Sequence, residues 1–289
     1  MNSEQPLAGQ LRDLWARVEA QDITSEAARA TQERLLAGYR QIWREALLLE
    51  GERDLTHSTL TELARRSQNQ DLASVRRRCE DAVTSLKQAW DKDVKTVDTP
   101  HVERFYDRTE LFIDELMWWH TLKDDDTPLA YVAALKFAAV HRARTILDFG
   151  SGVGSGGLLY VRHGFDVTLA DISSVLLEFC SWRFKQRDLP ARFIDLKVER
   201  LPRNAFDFIT AMDVFEHLTE PLGAVDTLAD VLKPGGYIFG RFASEIDPDR
   251  PMHIVQDFGP VFARFAEKGF TEVWRDDWLW GHQVFRKPA

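Results

Sequence analysis

Apolar residues in the first third of the chain recur at three- and four-residue spacing. Leu7, Leu11, Leu14 and Val18 form one stripe, and Leu35, Leu36, Tyr39, Ile42, Trp43, Ala46 and Leu47 form a second. A third stripe, Leu72, Val75, Cys79, Ala82, Leu86 and Trp90, runs to about residue 90. That period predicts amphipathic helices, with Gly51 and Asp54 marking a turn between them. Residues 1–97 are therefore expected to form an all-helical N-terminal region. Its stripes need a surface to cover them: each other, the following unit, a second copy of the chain, or a partner protein. Asp98-Thr-Pro100 reads as the junction to a second unit, residues 98–289, which opens with helical segments near 107–122 and 128–142. Asp126 or Thr127 would cap the second of these, with Pro128 at its first helical position.

From Thr145 the pattern changes. Short runs of β character near 145–149, 166–171, 191–195, 206–212, 236–242, 270–275 and 279–286 alternate with helical intervals. The alternation predicts an α/β fold: a Rossmann-like, seven-stranded, mostly parallel sheet with helices on both faces. Ligands of such sheets bind outside the carboxyl ends of the strands. At the first strand end, Ile146, Leu147 and Phe149 lead into the glycine-dense turn 150–157, and Leu158–Val161 then reads as helix. A helix that starts there points backbone N–H groups and a positive dipole end at a ligand. Gly152, Gly154 and Gly157 fit G-x-G-x-x-G by count, which allows a dinucleotide. Asp148 on the strand weighs the other way, because its carboxylate would repel a pyrophosphate and attract an ammonium group.

Asp148, Gly150, Gly152 and Gly154 have the spacing Asp-x-Gly-x-Gly-x-Gly, which resembles the first motif of class I S-adenosylmethionine-dependent methyltransferases. Phe206-Asp-Phe-Ile, Glu216-His-Leu and Leu232-Lys-Pro-Gly-Gly236 look like the same class, especially the branch of the ubiquinone-pathway O-methyltransferases. The resemblance covers residues 145–242 and implies S-adenosyl-L-methionine as cofactor, with S-adenosyl-L-homocysteine as product. It places Asp148, Gly150, Ser151, Gly152 and Gly154 under the cofactor. Asp171, 17 residues beyond Gly154, would meet the ribose hydroxyls beside Ile172, or cap the helix near Ser173. Asp195 and Leu196 would flank adenine, and Met212 and Asp213 would close the fourth strand against the cofactor. His217 is the candidate catalytic base, and its plainer reading is a structural histidine at a helix start. Related O-methyltransferases carry acids and a histidine, proposed to hold a divalent cation, at the positions of Asp213, Glu216 and His217. Asp213 replaces the longer glutamate usual there, and no metal is assigned. Helices that precede the glycine strand in this family often cover the site, so Trp118, Trp119 and His120 read either as core or as a lid. His253 and Arg250 are second-rank acceptor contacts on a proline-punctuated loop. Trp274, Trp278, Trp280 and His282 read as sheet packing.

Charge narrows the partner class. The 289 residues carry 37 basic and 46 acidic side chains, net −9, the opposite of what a phosphate-binding surface needs. The basic run Arg76–Arg78 lies where basic and acidic residues number 15 and 16 over residues 1–95, so it reads as a solvated face. Cys79 and Cys180 are isolated, as reduced structural thiols are. Met-Asn-Ser-Glu-Gln-Pro shows no leader pattern, and no run of eighteen apolar residues suggests a membrane span. The fourth strand ends in Met212-Asp213 rather than Asn/Asp-Pro-Pro-Tyr, and no cysteine is near it, which argues against base methylation. The expectation is a cytoplasmic methyltransferase acting on a small molecule through a hydroxyl or amine, with no nucleic acid and no membrane. Two rivals stand beside it. One is a catalytically silent partner subunit that docks through its N-terminal helices, and the other is a nicotinamide oxidoreductase.

Overall fold

The computed structural model describes residues 6–242 and 247–289, so the N-terminal leader reading, on residues 1–5, lies outside the described residues. The sheet consists of β1 (Thr145–Phe149), β2 (Asp166–Asp171), β3 (Arg192–Asp195), β4 (Phe206–Ala211), β5 (Leu232–Arg241), β6 (Thr271–Arg275) and β7 (His282–Arg286). Its order is β3-β2-β1-β4-β5-β7-β6. All neighbours are parallel except β7, which runs antiparallel to β5 and β6. The order reverses at β1, and the crevice beside β1 and β4 is where such a sheet takes a ligand.

The strands are apolar on both faces because helices cover both. Side chains alternate across the pleat: Ile146, Phe208 and Phe239 enter one core, and Leu147, Ile209 and Ile238 enter the other. The first core also receives α8 (Ala130–Val140) and α9 (Ser155–Arg162). The second is closed by α11 (Pro221–Val231) and α12 (Gly259–Glu267). Between β2 and β3 runs α10 (Ser174–Lys185), capped by the Ser173 hydroxyl, which accepts from Leu176 N–H at 3.2 Å.

The N-terminal stripes become α1 (Leu7–Glu19), α2 (Ser25–Leu47), α3 (Leu55–Ser67), α4 (Leu72–Glu80) and α5 (Ala82–Asp93). They bury their apolar faces on each other and on the sheet unit. Leu11, Leu36 and Trp43 share one core with Leu129, Leu158 and Ile146. The third stripe is two helices rather than one, broken at Asp81. Asp98-Thr-Pro100, read as the junction, opens a helix. Asp98 caps α6 (Thr99–Arg108) by accepting from His101 N–H at 3.0 Å, and Pro100 occupies its first turn, where no N–H is needed. The single helix expected over 107–122 is the end of α6 followed by α7 (Leu111–Trp119). Thr109 Oγ1 donates to Phe105 O where α6 stops.

Candidate active site

A cavity of about 350 Å³ opens at the carboxyl ends of β1, β2, β4 and β5. Its floor is the glycine turn. Gly150, Gly152 and Gly154 have φ of +68°, +52° and +74°, a region that side chains other than glycine enter at a cost. Space imposes the same choice at Gly150, where a methyl group would fall 2.5 Å from Val214 Cγ2. Gly150, Ser151 and Gly152 line the cavity, so a ligand there rests on bare backbone. Asp171 secures this floor. Its carboxylate accepts from Gly152 N–H and Ser173 N–H, each at 2.9 Å. Burial raises its pKa, while those N–H groups act in the opposite direction. Asp171 therefore lines the cavity and holds the turn as well, with Ser173 taking the capping role. Ile172, Leu176 and Leu196 make the wall beside it apolar, which suits a flat heterocycle.

Three expected contacts do not reach the cavity. Asp148 is 1 % exposed and lies behind the turn, where a methyl group on Gly156 would fall 2.9 Å from its Oδ2. Thr210 Oγ1 donates to Asp148 Oδ1 at 2.8 Å, and burial pushes the pKa up to about 7. Asp148 thus faces the start of α9. Gly154 is the N-cap of α9, and its missing Cβ leaves room for Cys180 and Leu169. Asp195 turns back to Lys197, accepting from its backbone N–H at 2.9 Å and its Nζ at 3.0 Å.

The far end of the cavity is built by β4, β5 and α7. Met212 and Asp213 line it. Asp213 has φ of +52°, the kind of backbone strain that gathers at functional sites, and it is ion-paired with Arg241 of β5. His217 lines the cavity too. Its Nδ1 lies 3.0 Å from Met252 O and 2.9 Å from the Tyr106 hydroxyl. A carbonyl only accepts, which assigns the ring proton to Nδ1 and leaves Nε2 as a bare acceptor. Burial pushes the His217 pKa down to about 3, so the ring is neutral near pH 7. Ligand atoms of Glu216, His217 and His253 lie within 4.8 Å of one another, close enough to share one cation. That trio contains His253 where the resemblance pointed to Asp213, because Asp213 is held by Arg241.

Several lining residues carried no motif. Tyr106 of α6 and Phe112, Glu115, Leu116 and Trp119 of α7 roof the cavity, with Tyr131 beside them. The spacing Phe112, Glu115, Leu116, Trp119 puts all four on one helix face, and that was the available signal. Trp119 and His120 line the cavity, whereas Trp118 packs in the helical core. Arg250 reaches Glu115 at 2.8 Å and ties the loop after β5 to the roof. His282 is buried against Trp274, with ring centroids 4.5 Å apart, as sheet packing requires. Trp278 instead is exposed.

A sheet of this order with β7 reversed, a glycine turn after β1 and an acid ending β2 defines the class I methyltransferase fold. Residues 147–240 match the family model described as a methyltransferase domain. Among curated relatives, a ubiquinone biosynthesis O-methyltransferase from Photorhabdus laumondii is 26% identical over 156 residues, covering 50% of this chain and 64% of that protein. One from Coxiella burnetii is 30% identical over 149 residues, covering 47% and 62%. The matched segment therefore spans less than two-thirds of these relatives. In solved structures, the N-methyltransferase NodS from Bradyrhizobium japonicum, in complex with S-adenosyl-L-homocysteine, superposes with a TM-score of 0.50. It is 19% identical and covers 71% of this chain and 99% of that one.

Proposed function

We propose that this protein transfers the methyl group of S-adenosyl-L-methionine to a small-molecule acceptor through a hydroxyl or an amine. The observation that carries the reading is the glycine turn of β1, opening with Asp171 onto one cavity that continues to His217 and Glu216. The residues suit the cofactor. Gly150, Ser151 and Gly152 would underlie its amino-acid part, Asp171 would take the ribose hydroxyls, and Ile172 and Leu196 would flank adenine. Met212 and Asp213 would close the site at the methyl end. When bound, the sulfonium supplies an activated methyl carbon whose bond to sulfur breaks as the acceptor bond forms in line.

The protein's share is alignment and exclusion of water. Roof residues Phe112, Leu116 and Trp119 shut out solvent, and neutral His217 offers Nε2 to the acceptor's proton. Removal of that base is expected to lower turnover about a hundredfold or more. His217→Ala should do this with S-adenosyl-L-homocysteine affinity unchanged within a few-fold; undiminished turnover would remove His217 from the reaction. Among the described residues no helix is long and apolar enough to cross a membrane.

Calorimetric titration with S-adenosyl-L-homocysteine tests the reading directly. Saturable binding supports it. Thermal stabilisation by NAD(H) or NADP(H) alone would replace it with an oxidoreductase. Cofactor binding without turnover, together with a constant partner in pull-downs, would favour a silent subunit.

A further inference from the structure

Among the described residues, the acceptor end of the cavity holds more carboxylates than cations, and one carboxylate keeps an oxygen without a hydrogen-bond partner. Glu115 and Asp247 both face Arg250, at 2.8 and 3.8 Å, and Asp213 is taken by Arg241. Asp125 accepts from Trp119 Nε1 at 3.0 Å and from Thr127 N–H at 2.7 Å. Glu216, beside Asp213, makes no ion pair among the described residues. It is 1 % exposed, lines the cavity, and its Oε2 has no hydrogen-bond partner among the described residues. Burial and the neighbouring charge of Asp213 raise its pKa, with Arg241 acting against them. A buried carboxylate without a donor is strongly disfavoured until a cation or hydrogen-bond donor meets it. Tyr106 and Phe112, stacked with ring centroids 4.8 Å apart, flank the same end with aromatic surface, which also attracts cations.

We propose that the methyl acceptor is an amine that enters as an ammonium ion and is held by Glu216 Oε2. This rests on the methyl-transfer reading above and narrows its acceptor to nitrogen. An ammonium neutralises the carboxylate and satisfies Oε2, whereas a hydroxyl supplies only a dipole. The chemistry balances with the groups present. The ammonium, held by Glu216, gives one proton to His217 Nε2, which leaves a neutral amine beside an imidazolium paired with the Glu216 carboxylate. The freed lone pair forms the nitrogen–carbon bond as the carbon–sulfur bond breaks, and that bond's electrons stay on sulfur. The product is a secondary ammonium, which carries the positive charge the sulfonium has lost.

Benzylammonium and benzyl alcohol are matched probes of this end of the cavity. With the protein saturated in S-adenosyl-L-homocysteine at pH 7, benzylammonium is expected to bind by calorimetry and raise the unfolding temperature. Benzyl alcohol is expected to do neither. Glu216→Gln should weaken benzylammonium about ten- to a hundredfold, as loss of a hydrogen bond to a charged group does, with S-adenosyl-L-homocysteine affinity preserved. Equal response to the two probes, or unchanged benzylammonium affinity in the variant, overturns the proposal. So does stabilisation by magnesium chloride, reversed by chelation, with none by benzylammonium, since a metal would then occupy the place. If Glu216→Gln does not fold, wild-type crystals holding both ligands decide: nitrogen within hydrogen-bond reach of Glu216 is expected, and nitrogen elsewhere refutes it. Failure of S-adenosyl-L-homocysteine to bind would refute the methyltransferase reading itself. Binding of it without preference for the amine refutes only this proposal.

Discussion

Asp148 is a carboxyl group that the fold keeps from water, 1 % exposed with one hydroxyl donor from Thr210. Burial pushes its pKa up to about 7, from the 3.8 of a carboxyl in water. Between those values the unfolded chain gives up a proton that the folded chain keeps. The folded state therefore loses stability as pH rises through that window, and above it the penalty is constant. Asp148→Asn retains the shape and removes the titration. Its stability relative to wild type is expected to grow between pH 5 and pH 8 by roughly 3 kcal/mol, read from denaturant unfolding at the two pH values. A difference independent of pH would mean that the carboxyl ionises freely in the folded protein. The sequence motif located this residue in the chain but not its facing. A strand residue points to one side or the other according to register, and Asp148 pairs beside Thr210 on β4, where the hydroxyl is. Gly150 and Gly152 were legible for a different reason. Their positive φ is a property of the backbone itself, and glycine at those places is its direct trace.

At the scale of elements, the cavity is closed by two pieces far apart in sequence, α7 and the segment after β5. Ile254 and Val255 donate to Glu216 O at 2.8 and 3.0 Å, and Arg250 clasps Glu115 at 2.8 Å. Glu115 is buried, which raises its pKa, with Arg250 pulling the other way. Arg250 is 36% exposed along its side chain, so solvent screens the pair and its worth is about 1 kcal/mol. If the pair latches the segment, Arg250→Met should speed hydrogen exchange of the Ile254 and Val255 amides about fivefold, the equivalent of that 1 kcal/mol. Exchange unchanged at both amides would mean the backbone bonds hold the segment alone. The parallel sheet was readable in the alternation of strand and helix, since each βα unit announces itself locally. The roof was not. Tyr106, Phe112 and Glu115 belong to helices whose inward face is set by long-range packing. The expected helix over 107–122 concealed the break after Arg108 that turns α6 against α7.

Over the whole molecule, the N-terminal helices reach the glycine turn through one buried charge cluster. Glu62 of α3 is 1 % exposed and meets Arg183 of α10 at 3.2 Å and Arg187 at 2.5 Å. Arg183 in turn donates to Val153 O at 2.7 Å and to Ser155 Oγ at 3.0 Å, at the end of the turn. Burial alone would raise the Glu62 pKa, and the two guanidiniums more than reverse it, so the cluster is charged at pH 7. Glu62→Gln strands two buried cations, a change that typically costs about 3–5 kcal/mol. Arg66 and Glu178 bridge the same pair of helices at 3.0 Å, but in water, with side chains 38% and 74% exposed. Arg66→Ala is therefore expected to cost under about 1 kcal/mol. Chemical denaturation of the two variants measures the contrast. Calorimetry adds a second readout: only Glu62→Gln should weaken S-adenosyl-L-homocysteine, because only its partner holds Val153 and Ser155. Equal costs in the two variants would show that the buried cluster is hydrated. Unchanged ligand affinity in Glu62→Gln would show that the turn keeps its shape without support from the helices.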